Sequence, residues 1–208
     1  MRPDPGVLGR WEPASPKEVG RLFGGVAAPW WIAGGWAIEL AVGRRVREHA
    51  DIDVLVLRRD QLVVQDALRG WEWWAADPPG TLRPWLAGEV LPAEVHDIWC
   101  RPGPARPWAV QVMLDEADGP DWVSRRDSRI RRPVETLGSV TGQLPYLNAE
   151  VQLFYKARAR RPKDEVDFDV AEPLLDEGQR RWLRDAIALA YGPHDWLGRL
   201  GVIQPRRR

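Results

Sequence analysis

Two carboxylates one residue apart are the part of this chain best suited to chemistry. Asp51 and Asp53 open the run DIDVLVL, whose β-branched and apolar content predicts a strand over residues 51–57. Side chains at i and i+2 leave a strand on the same face, so both carboxylates address one point while Ile52 turns away. Carboxylates that close resist ionising together, and a hard divalent cation with oxygen ligands, Mg2+ first, relieves the repulsion. Upstream, Gly34 and Gly35 follow the apolar run WWIA and precede a helical pattern over residues 36–42. Glycines at a helix N-terminus let backbone N–H groups approach an anion. A metal pair beside an anion cradle is equipment for phosphate chemistry. In such chemistry two ions about 3.5 to 4 Å apart can activate the attacking oxygen and stabilise the leaving one.

A third carboxylate should arrive from a neighbouring strand, to hold the metal next to the acceptor or to take its proton. Asp115 is the first choice, because it ends the run WAVQVMLD, in which Gln111, Met113 and Asp115 share one side. Asp97, in VHDIWC, competes with it, as do Glu94 and Glu116. Arg47 and His49 stand just before the metal pair, where a guanidinium can pair with phosphate oxygens and an imidazole can orient a loop. Lys156 either reaches the phosphates from a later helix or is an ordinary snorkelling lysine.

The elements that must position these residues begin at Ser15. Ser15 as N-cap, Pro16 at the first helical position and Glu18 closing a capping box predict a helix ending near Gly24 and Gly25, after a loop over residues 1–14. A strand over 29–33, a helix over 36–42 closed by Gly43, the strand 51–57, a helix over 60–69 stopped by Gly70 and a short strand over 71–75 follow. This succession is an α/β arrangement on one sheet. Pro-rich stretches bracket residues 94–100, and residues 108–115 lead to a turn at Asp118-Gly119-Pro120. Residues 129–134 read as an edge strand because of Pro133. From Pro145 the composition turns helical, with Asn148 capping a helix over 149–160, Pro162 opening a second through 174, and Asp176 with Gln179 opening a third that stops at Gly192-Pro193. The fold class is therefore α+β: a mixed-sheet domain over 1–144 and a helical bundle over 145–208.

Composition narrows the class. The chain has 208 residues with 30 basic and 30 acidic side chains, so no global field draws it to nucleic acid or an anionic membrane. Its basic cluster at Arg125, Arg126, Arg129, Arg131 and Arg132 is either an exposed strand face or an anion-binding rim, and Arg206 to Arg208 form a second, terminal cluster. One cysteine, Cys100, rules out an internal disulfide. The N-terminus lacks an apolar signal region and no run reaches about 18 apolar residues, so a cytoplasmic location is expected. Of 13 tryptophans, Trp30, Trp71, Trp73 and Trp99 lie in strand-like runs and are expected in the core.

The sequence Gly34-Gly35-Trp36, followed by Arg47, His49, Asp51 and Asp53 at alternate positions, resembles the small nucleotidyltransferases of the polymerase-β type, in particular those that adenylylate aminoglycoside and lincosamide antibiotics. Lys156 with Lys163, Asp164 and Asp167 is similar to the Lys…Arg-x-Lys-Asp pattern of their helical part, and Met-Leu-Asp at 113–115 looks like their third-carboxylate strand. The resemblance implies ATP as co-substrate, two Mg2+ ions held by Asp51, Asp53 and Asp115, nucleotide contacts from Gly34, Gly35, Arg47, His49 and Lys156, and a small-molecule hydroxyl as acceptor. A cationic antibiotic would want carboxylates and aromatic walls, which Asp77, Glu89, Glu94, Asp97, Trp74, Trp85 and Trp99 could supply. Two competing readings remain: a relative that modifies tRNA or protein, which the neutral charge disfavours, and an inactive nucleotide-binding module.

Overall fold

The computed structural model describes residues 9–201; the first part of the loop expected over residues 1–14 and the Arg206–Arg208 cluster lie outside them. The first helix, α1 (Pro16–Phe23), forms as its capping box requires. Ser15 Oγ accepts from the Glu18 amide at 3.3 Å while Glu18 Oε2 accepts from the Ser15 amide at 2.7 Å. Its Val19 and Phe23 are fully buried.

β1 (Trp30–Ala33), α2 (Gly34–Val42), β2 (Asp53–Leu57), α3 (Gln61–Ala67) and β3 (Glu72–Ala75) follow in the expected order. β1 and β2 nevertheless pair antiparallel, so the strand–helix–strand unit is not a parallel crossover. β4 (Arg83–Pro84), β5 (Asp97–Arg101) and β6 (Val110–Asp118) extend the sheet, and a turn at Gly119-Pro120 returns β7 (Asp121–Val123) onto the end of β6. β8 (Arg131–Pro133) pairs with β7 and carries Pro133 at the edge. A hairpin of β9 (Gly138–Thr141) and β10 (Leu144–Leu147) completes the order β4-β3-β5-β6-β2-β1-β10-β9, with β10 parallel to β1 and β6 parallel to β2. The sheet is mixed, as expected. Asp51 lies two residues before β2 begins.

Alternation along the strands gives two apolar layers. Trp30, Ile32, Val54, Val56, Ile98, Val110 and Val112 face α1 and α3. Trp31, Ala33, Leu55 and Leu57 face the C-terminal helices and share one cluster with Phe154, Phe168, Leu183 and Ile187. Burial of side chains this size stabilises by roughly 1.5 to 3 kcal/mol each, so the helices are fastened to the sheet along this whole layer.

Those helices are α4 (Ala149–Ala157), α5 (Pro162–Ala171), α6 (Glu177–Tyr191) and the short α7 (Trp196–Leu200). Asp176 and Gln179 form the expected capping box on α6. Asn148 does not cap α4: its amide donates to Thr136 O at 3.0 Å and its Oδ1 accepts from Ser139 Oγ at 2.6 Å, tying the helix start to the β9 edge. Cys100 is a buried free thiol, and Trp30, Trp73 and Trp99 are core residues. Among the described residues no helix is long and apolar enough to cross a membrane.

Candidate active site

Asp51, Asp53, Gly34, Gly35, Arg47 and Lys156 converge on one cleft of about 150 Å³ between β2 and the C-terminal helices. Asp53 is the first residue of β2 and stands opposite Ala33, so the β1–α2 turn runs directly over its carboxylate. That turn tolerates nothing larger than glycine. Gly34 has φ of 68°, and a Cβ there would lie 2.3 Å from Asp53 Oδ2. A Cβ on Gly35 would fall 2.3 Å from Arg47 Nη2 and 2.4 Å from the His49 ring. The glycines thus provide clearance for the residues that surround them. The N–H of Gly34 is taken by Gln152 Oε1 of α4 at 2.7 Å, which pins the turn to the helical half.

The cationic wall is prepaired. Asp167 of α5 receives Arg47 Nε and Nη2, both at 2.9 Å, and Lys156 Nζ at 2.7 Å. Asp164 receives Lys156 Nζ at 3.2 Å and Arg161 Nε at 2.8 Å. Both aspartates are fully buried and Lys156 nearly so, which excludes a solvent-seeking snorkel for that lysine. Burial would raise the Asp164 carboxyl, but the Arg161 and Lys156 charges hold it below the usual range.

His49 stands behind this wall, outside the cleft lining. Its ring lies against Trp36 at 4.5 Å between centroids, Nε2 is 2.9 Å from Glu39 Oε1, and Nδ1 is 3.1 Å from Arg47 Nη1. A guanidinium can only donate, so Nδ1 accepts and the ring proton sits on Nε2, facing Glu39. Burial pushes the imidazole pKa below its ordinary value despite the Glu39 carboxylate, so the ring is neutral near pH 7. Glu39 also accepts the amides of Val46 and Arg47 at 2.8 and 3.0 Å. Burial alone would raise its pKa, but these bonds hold it low. Together Glu39 and His49 fix the loop that delivers Arg47 and Asp51.

The strand register does not bring Asp115 to the metal pair. β2 and β6 align Asp53 with Gln111, Leu55 with Met113 and Leu57 with Asp115. At about 3.3 Å per residue, Asp115 lies on the order of 13 Å farther along the sheet than Asp53. It is fully buried there, accepting Trp122 Nε1 at 2.7 Å and the Tyr155 hydroxyl, with Arg125 Nε at 3.3 Å. Burial raises its pKa against the pull of Arg125 and these two donors. Asp115 therefore buttresses the far wall of the cleft through Tyr155 and Arg125.

The residue beside Asp53 on β6 is Gln111, whose Nε2 donates to Asp97 Oδ1 at 2.9 Å. Glu116 pairs with Arg58 at 2.6 Å, and Glu94 is exposed. Among the described residues no group of three or more His, Cys, Asp or Glu is placed to hold a metal ion. Asp51 and Asp53 alone fit Mg2+ nonetheless. This ion is commonly held by one or two carboxylates while substrate phosphates and water supply its other oxygens.

The expected acidic, aromatic acceptor pocket is not found at this cleft. Asp77 and Glu89 both pair with Arg83, Trp85 packs edge-on against Trp73, and Trp99 packs between Trp11 and Trp108. The cleft is lined instead by Arg47, Arg125, Arg126, Lys156, Arg161 and Lys163 around Asp51 and Asp53, over a floor of Leu55 and Met113. Gln152 and Tyr155 are lining residues that the motifs passed over, and Arg161 is the arginine of the Arg-x-Lys-Asp pattern. Gln152 and Tyr155 share the Lys156 face of α4 at helical spacing, a signal that existed once Lys156 was singled out.

A family model described as aminoglycoside-2''-adenylyltransferase matches residues 17–73, the span that contains Gly34, Gly35, Arg47, Asp51 and Asp53. The structure is similar to that of the lincosamide antibiotic adenylyltransferase LnuA, lincomycin-bound, with a TM-score of 0.54 at 16% identity, covering 79% of this chain and 100% of that one. The fold is that of the antibiotic adenylyltransferases. ANT(2'')-Ia in complex with adenylyl-2''-tobramycin is also similar, with a TM-score of 0.51 at 15% identity, covering 83% of this chain and 95% of that one. No curated protein matches the sequence significantly. The adenylyltransferase fold thus accounts for the mixed sheet and for the helices that close over its carboxylate-bearing face.

Proposed function

We propose that this chain transfers AMP from ATP to a hydroxyl of a small molecule, using Mg2+. The observation that carries the reading is the meeting of Asp51 and Asp53 with a prepaired cationic wall in one cleft, under a glycine turn that leaves room for the Asp53 carboxylate. In this reading residues 1–144 supply the metal-binding carboxylates and residues 145–208 supply Lys156, Arg161 and Lys163. The solved relatives carry lincomycin or adenylyl-tobramycin, which supports a small-molecule acceptor and an antibiotic-resistance role.

The acceptor hydroxyl oxygen bonds to the α-phosphorus as the α–β phosphoanhydride bond breaks, the hydroxyl proton passes to solvent, and pyrophosphate departs. Asp51 and Asp53 would hold Mg2+, which would supply charge stabilisation for both oxygens of the displacement. Lys156, Arg161 and Lys163 flank the triphosphate. Asp164 and Asp167 hold the first two of these in place, so little reorganisation is needed as negative charge shifts toward the leaving group. Arg47, anchored on Asp167 and His49, keeps the Asp51 loop against the turn. Met113 and Leu55 form an apolar floor that limits water beside the reacting atoms.

Incubation with each of four labelled nucleoside triphosphates, Mg2+ and a panel of hydroxylated acceptors tests the reading. Label from ATP on a small molecule, with stoichiometric pyrophosphate, is expected. Label found only on tRNA or protein would redirect the acceptor assignment, and failure to bind any Mg-nucleotide would overturn the reading.

A further inference from the structure

The charges at the far end of the cleft do not suit the cationic acceptors of its structural neighbours. Beyond Asp53, along β2 and β6, the lining consists of Leu55, Met113, Tyr155 and two consecutive arginines, Arg125 and Arg126. Arg125 has one carboxylate partner, the wholly buried Asp115 at 3.3 Å. Arg126 has its Nε buried without a hydrogen-bond partner. The charges that act on Arg126 include the guanidinium groups of Arg125 and Arg158, while Tyr155 and Tyr191 supply its polar neighbours. Burial and the two like charges lower the Arg126 pKa from its ordinary value. A half-buried guanidinium without a counter-ion is costly, and an anion with oxygen acceptors relieves that cost by charge-assisted hydrogen bonds. A second ammonium-rich ligand would aggravate it.

The triphosphate does not require these arginines. It has its own wall at the opposite end, where Lys156, Arg161 and Lys163 flank Asp51 and Asp53. An acceptor oxygen must approach the metal pair from the side that the triphosphate leaves open, and that side leads to Arg125 and Arg126. We infer that this end of the cleft receives an anionic group of the acceptor, a carboxylate or a phosphate, so that the molecule modified is a hydroxylated anion rather than a polycation. The inference rests on the transferase reading for the assignment of the two ends.

Calorimetric titration of the full chain tests it, first saturated with Mg2+ and a non-hydrolysable ATP analogue, then alone. The probes are inorganic phosphate, acetate and tobramycin. On the nucleotide-saturated protein, phosphate or acetate should bind at one site per chain. Arg126→Ala should weaken that binding about tenfold or more while shifting the analogue's affinity less than about threefold, and Arg126→Lys should restore most of it. The tighter of the two anions identifies the group as phosphate or carboxylate. Tobramycin should bind more weakly than either. Loss of the anion site when the analogue binds would mean that the arginines serve the nucleotide, and would overturn the inference, as would tighter binding of tobramycin. If the analogue itself does not bind, the transferase reading fails, and the anion site is judged on the chain alone: phosphate binding unaffected by Arg126→Ala overturns it, and binding lost with Arg126 upholds it.

Discussion

The two ends of the cleft carry the same kind of charge in opposite states. At the glycine end, Arg47, Lys156 and Arg161 are locked to Asp164 and Asp167 before any ligand arrives. At the far end, Arg125 leans on a single buried carboxylate and Arg126 keeps a buried Nε without a partner. Pairing fixes a cation's position at the expense of part of its field, whereas an uncompensated cation retains its field and burdens the fold. The first state suits a ligand whose geometry must be reproduced at each turnover, and the second suits one that brings its own counter-charge.

Both ends matter only through the carboxylates between them, so the largest effect is expected from Asp53→Asn. AMP transfer should fall by at least about 10³-fold, with thermal stability retained. Transfer at the parent rate would remove the metal assignment. Next is the contrast in stability between the ends. Asp167→Asn leaves Arg47 and Lys156 short of a buried acceptor and should cost about 3 to 5 kcal/mol in urea unfolding, whereas Arg126→Ala should cost less than about 0.5 kcal/mol or stabilise. Equal losses in the two variants would erase the distinction. Gly34→Ala forces a side chain into the left-handed region and against Asp53, so a loss of about 1 to 3 kcal/mol is expected, together with weakened Mg-ATP binding.

Asp115→Ala should leave the affinity for Mg-ATP within about threefold and reduce turnover by about tenfold, because it releases Tyr155 and Arg125 rather than a metal ligand. A loss as deep as that of Asp53→Asn would return Asp115 to the metal site. The smallest effect concerns pH. The His49 pKa is lowered in the folded protein, so its contribution is full above the unfolded value near 6.5 and is lost as pH falls through the lower folded value. Stability followed by urea unfolding should therefore decline as pH drops below 6.5, and the decline should flatten in His49→Gln. Glu39, with a depressed pKa, acts in the separate window below its ordinary value of 4.5.

Legibility in the sequence followed the range of the interaction. The capping boxes at Ser15 and Asp176 and the glycine stop at Gly43 are local patterns, readable within a few residues, and the structure has the elements they predict; the strand expected from Asp51 begins instead at Asp53. The β9–β10 hairpin went unassigned because GSVTGQLPYL has weak alternation, carries Pro145 inside a strand, and owes its place to parallel pairing with β1 more than 100 residues upstream. The role of Asp115 depended on register. Alternation correctly set Gln111, Met113 and Asp115 on one face, but it carries no information about which of the three lies level with Asp53. The acidic acceptor pocket failed similarly, since carboxylates close in sequence to tryptophans had partners, such as Arg83, that only the folded chain brings to them.

The bond from the Gly34 amide to Gln152 bears on how ligands come and go. It crosses the seam between the sheet and the helices at the cleft's own edge, and the shared apolar layer lies just beneath it. Swinging the helices away like a jaw would break this staple and expose that layer at once. The cleft accordingly works as a slot, loaded without the parting of its two halves.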